Sequence, residues 1–309
     1  MTRILFAASA KTWTEYRDLL PAALAARSVA HEILTLDDAP DPTGIDWIVY
    51  APSCPLQDFS GFSRLKGVLS LWAGVELVEG NRTLTAPLAR MVDSGLTQGM
   101  VEWVTGHVLR HHLGMDAHIA KTGWTPVAPP LAADRPVAIL GLGALGSACA
   151  SVLAGLGFPV TGWSRSPRNI SGVTSVTGDD GLRTALQGAD ITVLLTPLTR
   201  STESLMNART LGWMPDGAVL LNPGRGALVD DAALLAELPR LGHATLDTFR
   251  VEPLPGDHPF WTHPKVTITP HIASATRPAT AAGVIAENIR RGEAGEPLLH
   301  LVDRTEALQ

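Results

Sequence analysis

The clearest indication of the fold is the stretch Val137-Ala138-Ile139-Leu140-Gly141-Leu142-Gly143-Ala144-Leu145-Gly146. Its four leading apolar residues are typical of a strand buried on both faces, and Ala144–Leu156 predicts a helix directly behind it. A G-x-G-x-x-G spacing between strand and helix is typical of a dinucleotide-binding turn. Gly141 permits the tight turn, Gly143 lets the backbone approach a pyrophosphate, and Gly146 lets the helix pack on the strand. The alternative is a glycine-rich turn that binds no ligand.

Strand-like and helix-like runs alternate on both sides of this turn. The predicted strands after it are Pro159–Trp163, Asp190–Leu195, Gly217–Leu221, His243–Asp247 and Val266–Thr269. The predicted elements before it are strands at Ile4–Ala8, Glu32–Leu36, Trp47–Ala51 and Gly67–Leu71, and helices at Tyr16–Arg27 and Gln98–His118. Such alternation favours parallel sheets with crossover helices. We therefore expect an α/β protein with two doubly wound parallel-sheet domains, the later one six-stranded and nucleotide-binding.

The composition excludes several classes of protein. With 45% hydrophobic residues, the 309-residue chain has enough apolar material for two cores and is not intrinsically disordered. Its net charge of −6 gives no general attraction to nucleic acid or to an anionic membrane. The apolar runs are too short for a membrane span or a convincing signal sequence. Two cysteines fit a reducing compartment, so we expect a cytoplasmic protein.

Arg165 stands where an NAD-specific site usually carries an acidic residue. Such a residue, about 20 positions after the glycines, binds the ribose 2′-hydroxyl. The range Phe158–Gly178 contains no Asp or Glu, and the second strand runs into Ser164-Arg165-Ser166-Pro167-Arg168. A guanidinium at Arg165 would pair with a 2′-phosphate, and Arg168 is a second candidate. The sequence predicts NADP(H) as preferred cofactor, with NAD(H) as the alternative if Arg165 is only a surface residue.

Three residues that can carry out acid–base and carboxylate chemistry follow the last three predicted strands. They are Arg225, Glu252 and His271. Because ligands of open α/β sheets bind beyond the carboxyl ends of the strands, these side chains could meet in one crevice. An arginine can bind a carboxylate, a histidine can donate a proton near neutral pH, and a carboxylate stabilises a neighbouring imidazolium. Together they suit the reduction of an oxo acid, although each residue alone could be structural.

The chain resembles the D-isomer-specific 2-hydroxyacid dehydrogenase family, and within it the glyoxylate/hydroxypyruvate reductase A branch. The matching stretches are GLGALG (141–146), GFPVTGWSRSPR (157–168), NPGRGALVDDAALLAEL (222–238), LDTFRVEPLPGDHPFWTHPKVTITPHIAS (246–274) and TRPAT (276–280). The resemblance implies reduction of glyoxylate and hydroxypyruvate to glycolate and D-glycerate with NADPH. It implies that Arg225 binds the substrate and that Glu252 and His271 form the acid pair.

The resemblance also implies the remaining contacts. Asp247 and the Asn222–Gly224 turn would hold the nicotinamide carboxamide, and the backbone of Trp72, Ala73 and Gly74 would bind the substrate carboxylate. The full set of predicted cofactor contacts is Gly141, Gly143, Ala144, Leu145, Gly146, Ser164, Arg165, Ser166, Arg168, Thr196, Pro197, Asn222, Pro223, Gly224, Asp247 and Ser274. Two positions depart from the family pattern: Glu76 replaces an Asp, and Pro223 removes a backbone donor.

The resemblance further implies the domain organisation and partners. A Rossmann cofactor domain (98–275) would be inserted in a flavodoxin-like substrate domain (1–97 and 276–309). The helix that carries His107 and His111 would pack on a second subunit, giving a homodimer. That histidine pair lacks the H-E-x-x-H pattern, so no metal site is predicted. Two alternative functions stay open. The protein could be a related dehydrogenase that acts on another 2-hydroxy acid or on phosphoglycerate, or a cofactor-sensing protein with little turnover.

Overall fold

The computed structural model describes residues 1–119, 123–124 and 126–305. The chain forms two compact units, one made of residues 1–96 with 275–309 and the other of residues 97–274. The strands in the described residues are β1 (Thr2–Ala7), β2 (His31–Thr35), β3 (Trp47–Tyr50), β4 (Gly67–Ser70), β5 (Leu88–Ala89), β6 (Val137–Leu140), β7 (Val160–Trp163), β8 (Val173–Val176), β9 (Ile191–Leu194), β10 (Val219–Asn222), β11 (His243–Leu246) and β12 (Val266–Ile268). The α-helices there are α1 (Ala10–Tyr16), α2 (Leu19–Ala25), α3 (Ser94–His112), α4 (Met115–Ile119), α5 (Ala144–Gly155), α6 (Gly178–Gln187), α7 (Ala208–Leu211), α8 (Asp231–Glu237) and α9 (Pro278–Glu293).

The first unit contains a parallel sheet in the order β2-β1-β3-β4-β5. This is the flavodoxin-like order of a doubly wound sheet. Every residue of β3 and β4 is buried, because apolar clusters cover both faces of the sheet. Residues of α2 and α9 belong to one of these clusters. Burial on both faces explains the continuous apolar runs in the sequence.

The second unit contains a parallel sheet in the order β12-β11-β10-β9-β6-β7-β8. Strands β6, β7 and β8 follow one another toward one edge of the sheet, and β9 to β12 follow one another from the other side of β6 toward the opposite edge. Ligands of such sheets bind beyond the carboxyl ends of the strands at this reversal point. Both sheets are parallel and flanked by helices, which confirms the predicted α/β fold class.

Three local differences from the predicted elements have clear physical causes. The predicted helix Tyr16–Arg27 is shorter, since α2 covers only Leu19–Ala25, and a separate helix, α1, ends at Tyr16. Pro21 prevents one continuous helix, because its ring would clash with the carbonyl group four residues earlier. The predicted helix Gln98–His118 is broken between α3 and α4, where Gly114 has a φ of 63°. The second sheet has a seventh strand, β8, whose half-exposed Val-Thr-Ser-Val sequence carries little apolar signal at the sheet edge.

No helix in the described ranges is both long and apolar enough to cross a membrane. Nor do those residues contain a group of three or more His, Cys, Asp or Glu arranged to hold a metal ion. His111 instead packs against the sheet, where its Nε2 lies 2.9 Å from the Thr245 hydroxyl. The ring of His107 packs at a tilt against that of Trp103, with centroids 4.3 Å apart.

We expect His111 and His243 to make the folded protein acid-sensitive. Their rings lie 5.0 Å apart. Burial lowers the pKa of His111 to about 3 and that of His243 to about 4, and the neighbouring Arg110 adds to both shifts. In the unfolded chain these two imidazoles bind protons near pH 6.5, whereas in the folded chain they do so only at far lower pH. The free energy of unfolding should therefore fall as the pH drops from about 6.5 toward 4.

Urea unfolding between about pH 7 and pH 5 tests this expectation. The variant His111→Gln/His243→Gln should lose stability less steeply over that range than the wild type. The exposed His118 on α4 supplies the matched control, since His118→Gln should keep the wild-type slope. Equal slopes in all three proteins would show that the buried histidines do not cause acid sensitivity.

Candidate active site

The glycine turn after β6 has the geometry that a bound dinucleotide requires. Gly141 has a φ of 111°, and a Cβ there would lie 2.5 Å from the backbone of Leu195 and Thr196. A Cβ on Gly146 would lie 1.7 Å from the carbonyl oxygen of Gly141, so α5 begins in close contact with the turn. Nothing lies within 4 Å of the position of a Cβ on Gly143, so the backbone is open to a ligand.

Further groups around the turn fit a dinucleotide. Helix α5 begins at Ala144 without a side-chain cap, which leaves backbone donors for an anion. Thr196, at the end of β9, is 6% exposed, and its hydroxyl has no hydrogen-bond partner among the described residues. A buried hydroxyl without a partner is costly, and a ligand group would satisfy it. The predicted residues at this turn therefore fit a nicotinamide dinucleotide.

The loop after β7 carries the residues predicted to select NADP(H). The Ser164 hydroxyl donates to the Ser166 carbonyl at 2.7 Å, and the Arg168 N–H donates to the Ser175 hydroxyl at 3.0 Å. These bonds fix the loop while Arg165 and Arg168 stay exposed. Neither guanidinium has an acidic partner within the part of the chain that the structure describes. Both charges are therefore available to a phosphate.

Arg225, Glu252 and His271 come together in one cleft of the second unit. The cleft has a volume of about 260 Å³. Its lining residues are Leu198, Arg225, Gly226, Ala227, Thr248, Phe249, Arg250, Glu252 and His271. The three predicted residues follow β10, β11 and β12, which are neighbouring strands of one parallel sheet. Their convergence follows from the shared carboxyl edge of these strands.

The acid pair is a direct contact between two side chains. The Nδ1 atom of His271 lies 2.7 Å from Oε2 of Glu252, and the other carboxylate oxygen accepts a hydrogen bond from the Phe249 N–H at 2.8 Å. The His271 side chain is 51% exposed and that of Glu252 is 33% exposed. With Nδ1 engaged by the carboxylate, Nε2 is the nitrogen left for a substrate. The pair can therefore hold and deliver a proton.

Asp247 holds the turn that carries His271. Its side chain is fully buried, and its carboxylate accepts hydrogen bonds from the Thr269 hydroxyl and from the backbone N–H groups of Ile272 and Ala273, at 2.6 to 2.9 Å. The His271 N–H also donates to the Asp247 carbonyl at 2.8 Å. These bonds stabilise a left-handed conformation of His271, whose φ is 54°. Sequence reasoning missed this role, and contact of Asp247 with the cofactor stays a prediction.

Asn222 organises the turn that carries Arg225. Its side-chain amide donates to the Arg225 carbonyl at 2.9 Å, and its Oδ1 accepts from the Gly224 N–H at 3.2 Å. The side chain of Arg225 is half-buried, and its Nη1 donates to the Gly224 carbonyl at 2.8 Å. Pro223 is buried within this turn. The Asn222 amide is thus used inside the protein, and its predicted cofactor contact stays a prediction.

The predicted substrate loop lies in the first unit, after β4. The Trp72 N–H donates to the Ser70 hydroxyl at 3.0 Å. The N–H groups of Ala73 and Gly74 have no acceptor among the described residues. Contact of Trp72, Ala73 and Gly74 with a substrate carboxylate stays a prediction. Ser274, Pro197 and Leu145 likewise keep predicted roles only.

The chain resembles known proteins over nearly its whole length. Residues 104–273 match the model of the D-isomer specific 2-hydroxyacid dehydrogenase NAD-binding domain. A glyoxylate/hydroxypyruvate reductase A from Serratia proteamaculans is 40% identical, over 86% of this chain and 88% of that protein. A homologue of the same name from Yersinia enterocolitica is 37% identical, over 83% of this chain and 85% of that protein.

Solved structures show the same similarity. A D-isomer specific 2-hydroxyacid dehydrogenase from Xanthobacter autotrophicus, in complex with NADPH and MES, aligns with a TM-score of 0.91 and 38% identity, covering 99% of both chains. An NADPH-dependent glyoxylate/hydroxypyruvate reductase from Sinorhizobium meliloti, in complex with NADP and sulfate, aligns with a TM-score of 0.84 and 34% identity, covering 99% of this chain and 100% of that chain.

Proposed function

The chain belongs to the D-isomer-specific 2-hydroxyacid dehydrogenase family, and from this membership we propose that it reduces glyoxylate and hydroxypyruvate to glycolate and D-glycerate with NADPH. The observation that carries the proposal is the cleft in which Arg225 accompanies the His271–Glu252 pair. This cleft follows strands of the same sheet that carries the glycine turn. Carboxylate binding, proton donation and cofactor binding are therefore combined in one unit.

Arg225, His271 and Glu252 each have a distinct role in this reaction. Arg225 binds the substrate carboxylate and the C2 oxygen through its planar guanidinium. His271 donates a proton to the C2 oxygen as negative charge develops there. Glu252 stabilises the imidazolium through the 2.7 Å contact. When bound, NADPH supplies the hydride that the C2 carbon accepts.

NADPH would be held by the glycine turn and by the exposed loop after β7. The pyrophosphate fits the open backbone at Gly143 and the start of α5. Arg165 and Arg168 would pair with the 2′-phosphate. We assign the unit of residues 97–274 to cofactor binding and the unit that contains the Ala73–Gly74 loop to substrate binding.

A panel of 2-oxo acids, each assayed with NADPH and with NADH, tests the function. We expect turnover of glyoxylate and hydroxypyruvate, and a higher kcat/KM with NADPH. Phosphorylated oxo acids and longer 2-oxo acids distinguish the proposed substrates from those of related dehydrogenases. Cofactor binding without turnover of any oxo acid would contradict the proposal and favour a sensing protein.

We expect Arg165→Asp to reverse or abolish the cofactor preference. A carboxylate would repel the 2′-phosphate and could accept a hydrogen bond from a ribose 2′-hydroxyl. The ratio of kcat/KM for NADPH to that for NADH should fall by roughly 10- to 100-fold, as expected when an attractive charge becomes a repulsive one. Arg183→Asp is the matched control, since Arg183 is an exposed arginine of the same unit on α6. An unchanged ratio in Arg165→Asp would remove this residue from cofactor selection.

We propose that the protein works as a homodimer in the cytoplasm. Apolar side chains in the second unit are exposed between residues 113 and 131, including Ile119 at 81%, Trp124 at 97% and Leu131 at 74%. Exposed apolar patches often mark protein interfaces, and these side chains support an interface in this part of the second unit. Both cysteines are buried and unpaired, which supports a reducing compartment. Light scattering should give twice the mass of the 32.7 kDa chain, and a monomer would contradict the dimer.

A further inference from the structure

Arg250 lies in the loop that carries Glu252, and its side chain contacts the turn that follows Arg225. It follows β11 and precedes Glu252 by two residues, and it lines the same cleft. Its Nη1 donates to Oε1 of Glu203 at 3.0 Å. Its Nη2 donates to the Ser204 hydroxyl at 3.1 Å and to the carbonyls of Ala227 and Val229 at 3.4 and 3.3 Å. One guanidinium therefore joins the Glu252 loop to the turn after Arg225.

The two loops also touch directly at Gly226. A Cβ at this position would lie 1.9 Å from the carbonyl carbon of Phe249 and 2.3 Å from the Arg250 nitrogen. The turn is connected to the catalytic arginine, since the Leu228 N–H donates to the Arg225 carbonyl at 3.2 Å. A displacement of this turn would thus displace Arg225 relative to Glu252.

We propose that Arg250 is a positioning residue that holds Arg225 in register with the His271–Glu252 pair, a role that rests on the proposed function. Its guanidinium contacts four protein acceptors, three of them through Nη2. The partner Glu203 is 57% exposed, and an exposed ion pair adds little stability. The two carbonyl contacts on the turn after Arg225 are therefore the important ones.

The variant Arg250→Met removes these contacts while keeping much of the side-chain length. We expect kcat/KM for glyoxylate to fall by about tenfold or more, because small misplacements of a substrate-binding group have large effects on rate. The Kd of NADPH should change less than about twofold, since the predicted cofactor contacts lie in other loops. The control Arg183→Met, which removes one exposed charge from the same unit, should retain wild-type kinetics.

A conservative variant separates position from charge. Arg250→Lys keeps the positive charge. One ammonium group cannot reproduce the planar guanidinium, which contacts Glu203 and Ser204 as well as the carbonyls of Ala227 and Val229. We expect Arg250→Lys to resemble Arg250→Met, and Glu203→Gln to stay near the wild type. Wild-type kinetics in Arg250→Lys would overturn the positioning role and indicate an electrostatic one.

A double-mutant cycle shows whether Arg250 acts through Arg225. In an Arg225→Lys background, which leaves measurable charge at the site, Arg250→Met should lower kcat/KM by less than about twofold, because coupled residues are not additive. A further tenfold loss in that background would overturn the proposal.

Hydrogen exchange tests the loop contact without any turnover, so it stays informative even if the proposed substrates are wrong. The amides of Leu228 and Val229 should exchange faster in Arg250→Met than in the wild type, and at the wild-type rate in Arg183→Met. Unchanged exchange at 226–229 in Arg250→Met would overturn the positioning role. Absence of 2-oxo acid turnover in the wild type would instead contradict the proposed function alone.

Discussion

Replacement of Arg225 by Gln is expected to lower kcat/KM for glyoxylate by about 100- to 1000-fold, the range found when a donor to a developing oxyanion is removed. The glutamine amide keeps a donor but loses both the charge and the planar fork that a carboxylate requires. Neither Asn222 nor the glycine turn depends on the Arg225 side chain, since Asn222 binds its backbone carbonyl. The Kd of NADPH should therefore stay close to that of the wild type.

Steady-state kinetics and fluorescence titration with NADPH measure these two effects separately. Arg209→Gln is a suitable control, because Arg209 is an exposed arginine of the same unit on α7. Retained turnover in Arg225→Gln would contradict its substrate role. Loss of both turnover and NADPH binding would indicate a damaged fold. Urea unfolding of the variant would then show a lower free energy of unfolding than that of the wild type.

Replacement of His271 by Gln is expected to lower kcat by about 100- to 10,000-fold, the range for removal of a general acid. A glutamine can still approach Glu252 but cannot carry a transferable proton at neutral pH. Glu252→Gln should be less damaging, because it keeps the imidazole and removes only the carboxylate that lies 2.7 Å from it. We therefore expect His271→Gln to be slower than Glu252→Gln at every pH assayed.

The exposed His118 provides the control for this series, and His118→Gln should be fully active. Binding of NADPH to His271→Gln should be retained, so that single-turnover experiments measure the chemical step directly. Equal activity of His271→Gln and wild type would leave the acid pair without a catalytic role and would require another proton donor.

Much of the site could be predicted from the sequence because parallel strands share a carboxyl edge. The glycine turn after Val137–Leu140 and its helix lie where the spacing predicted, and crowding at Gly141 and Gly146 explains the glycines. The convergence of Arg225, Glu252 and His271 followed from their positions after three neighbouring strands. The family inferred from the matching stretches is confirmed by the family model and by the relatives. Two similar solved structures contain NADPH or NADP, and the preference of this chain for NADP(H) stays a proposal.

Other features could not be predicted, because they depend on contacts between residues far apart in the chain. Nothing in the local sequence of Arg250 indicates that its guanidinium reaches Glu203 and the carbonyl of Val229. The bonds by which buried Asp247 holds the turn of His271 could not be predicted either, and its predicted contact with the cofactor stays a prediction. The strand Val173–Val176 depends on pairing with β7 and not on its own apolar residues.

The hydrogen bonds of Asp247 affect how the protein discriminates between substrates. Both of its carboxylate oxygens accept hydrogen bonds from groups of the chain itself, so the turn that carries the imidazole is already held before any ligand binds. A preorganised proton donor needs no reorganisation during the reaction. The carboxylate and C2 carbonyl, which all 2-oxo acids share, should therefore be bound in the same way. Discrimination among these acids should depend on how well the remaining part of the substrate fits the site.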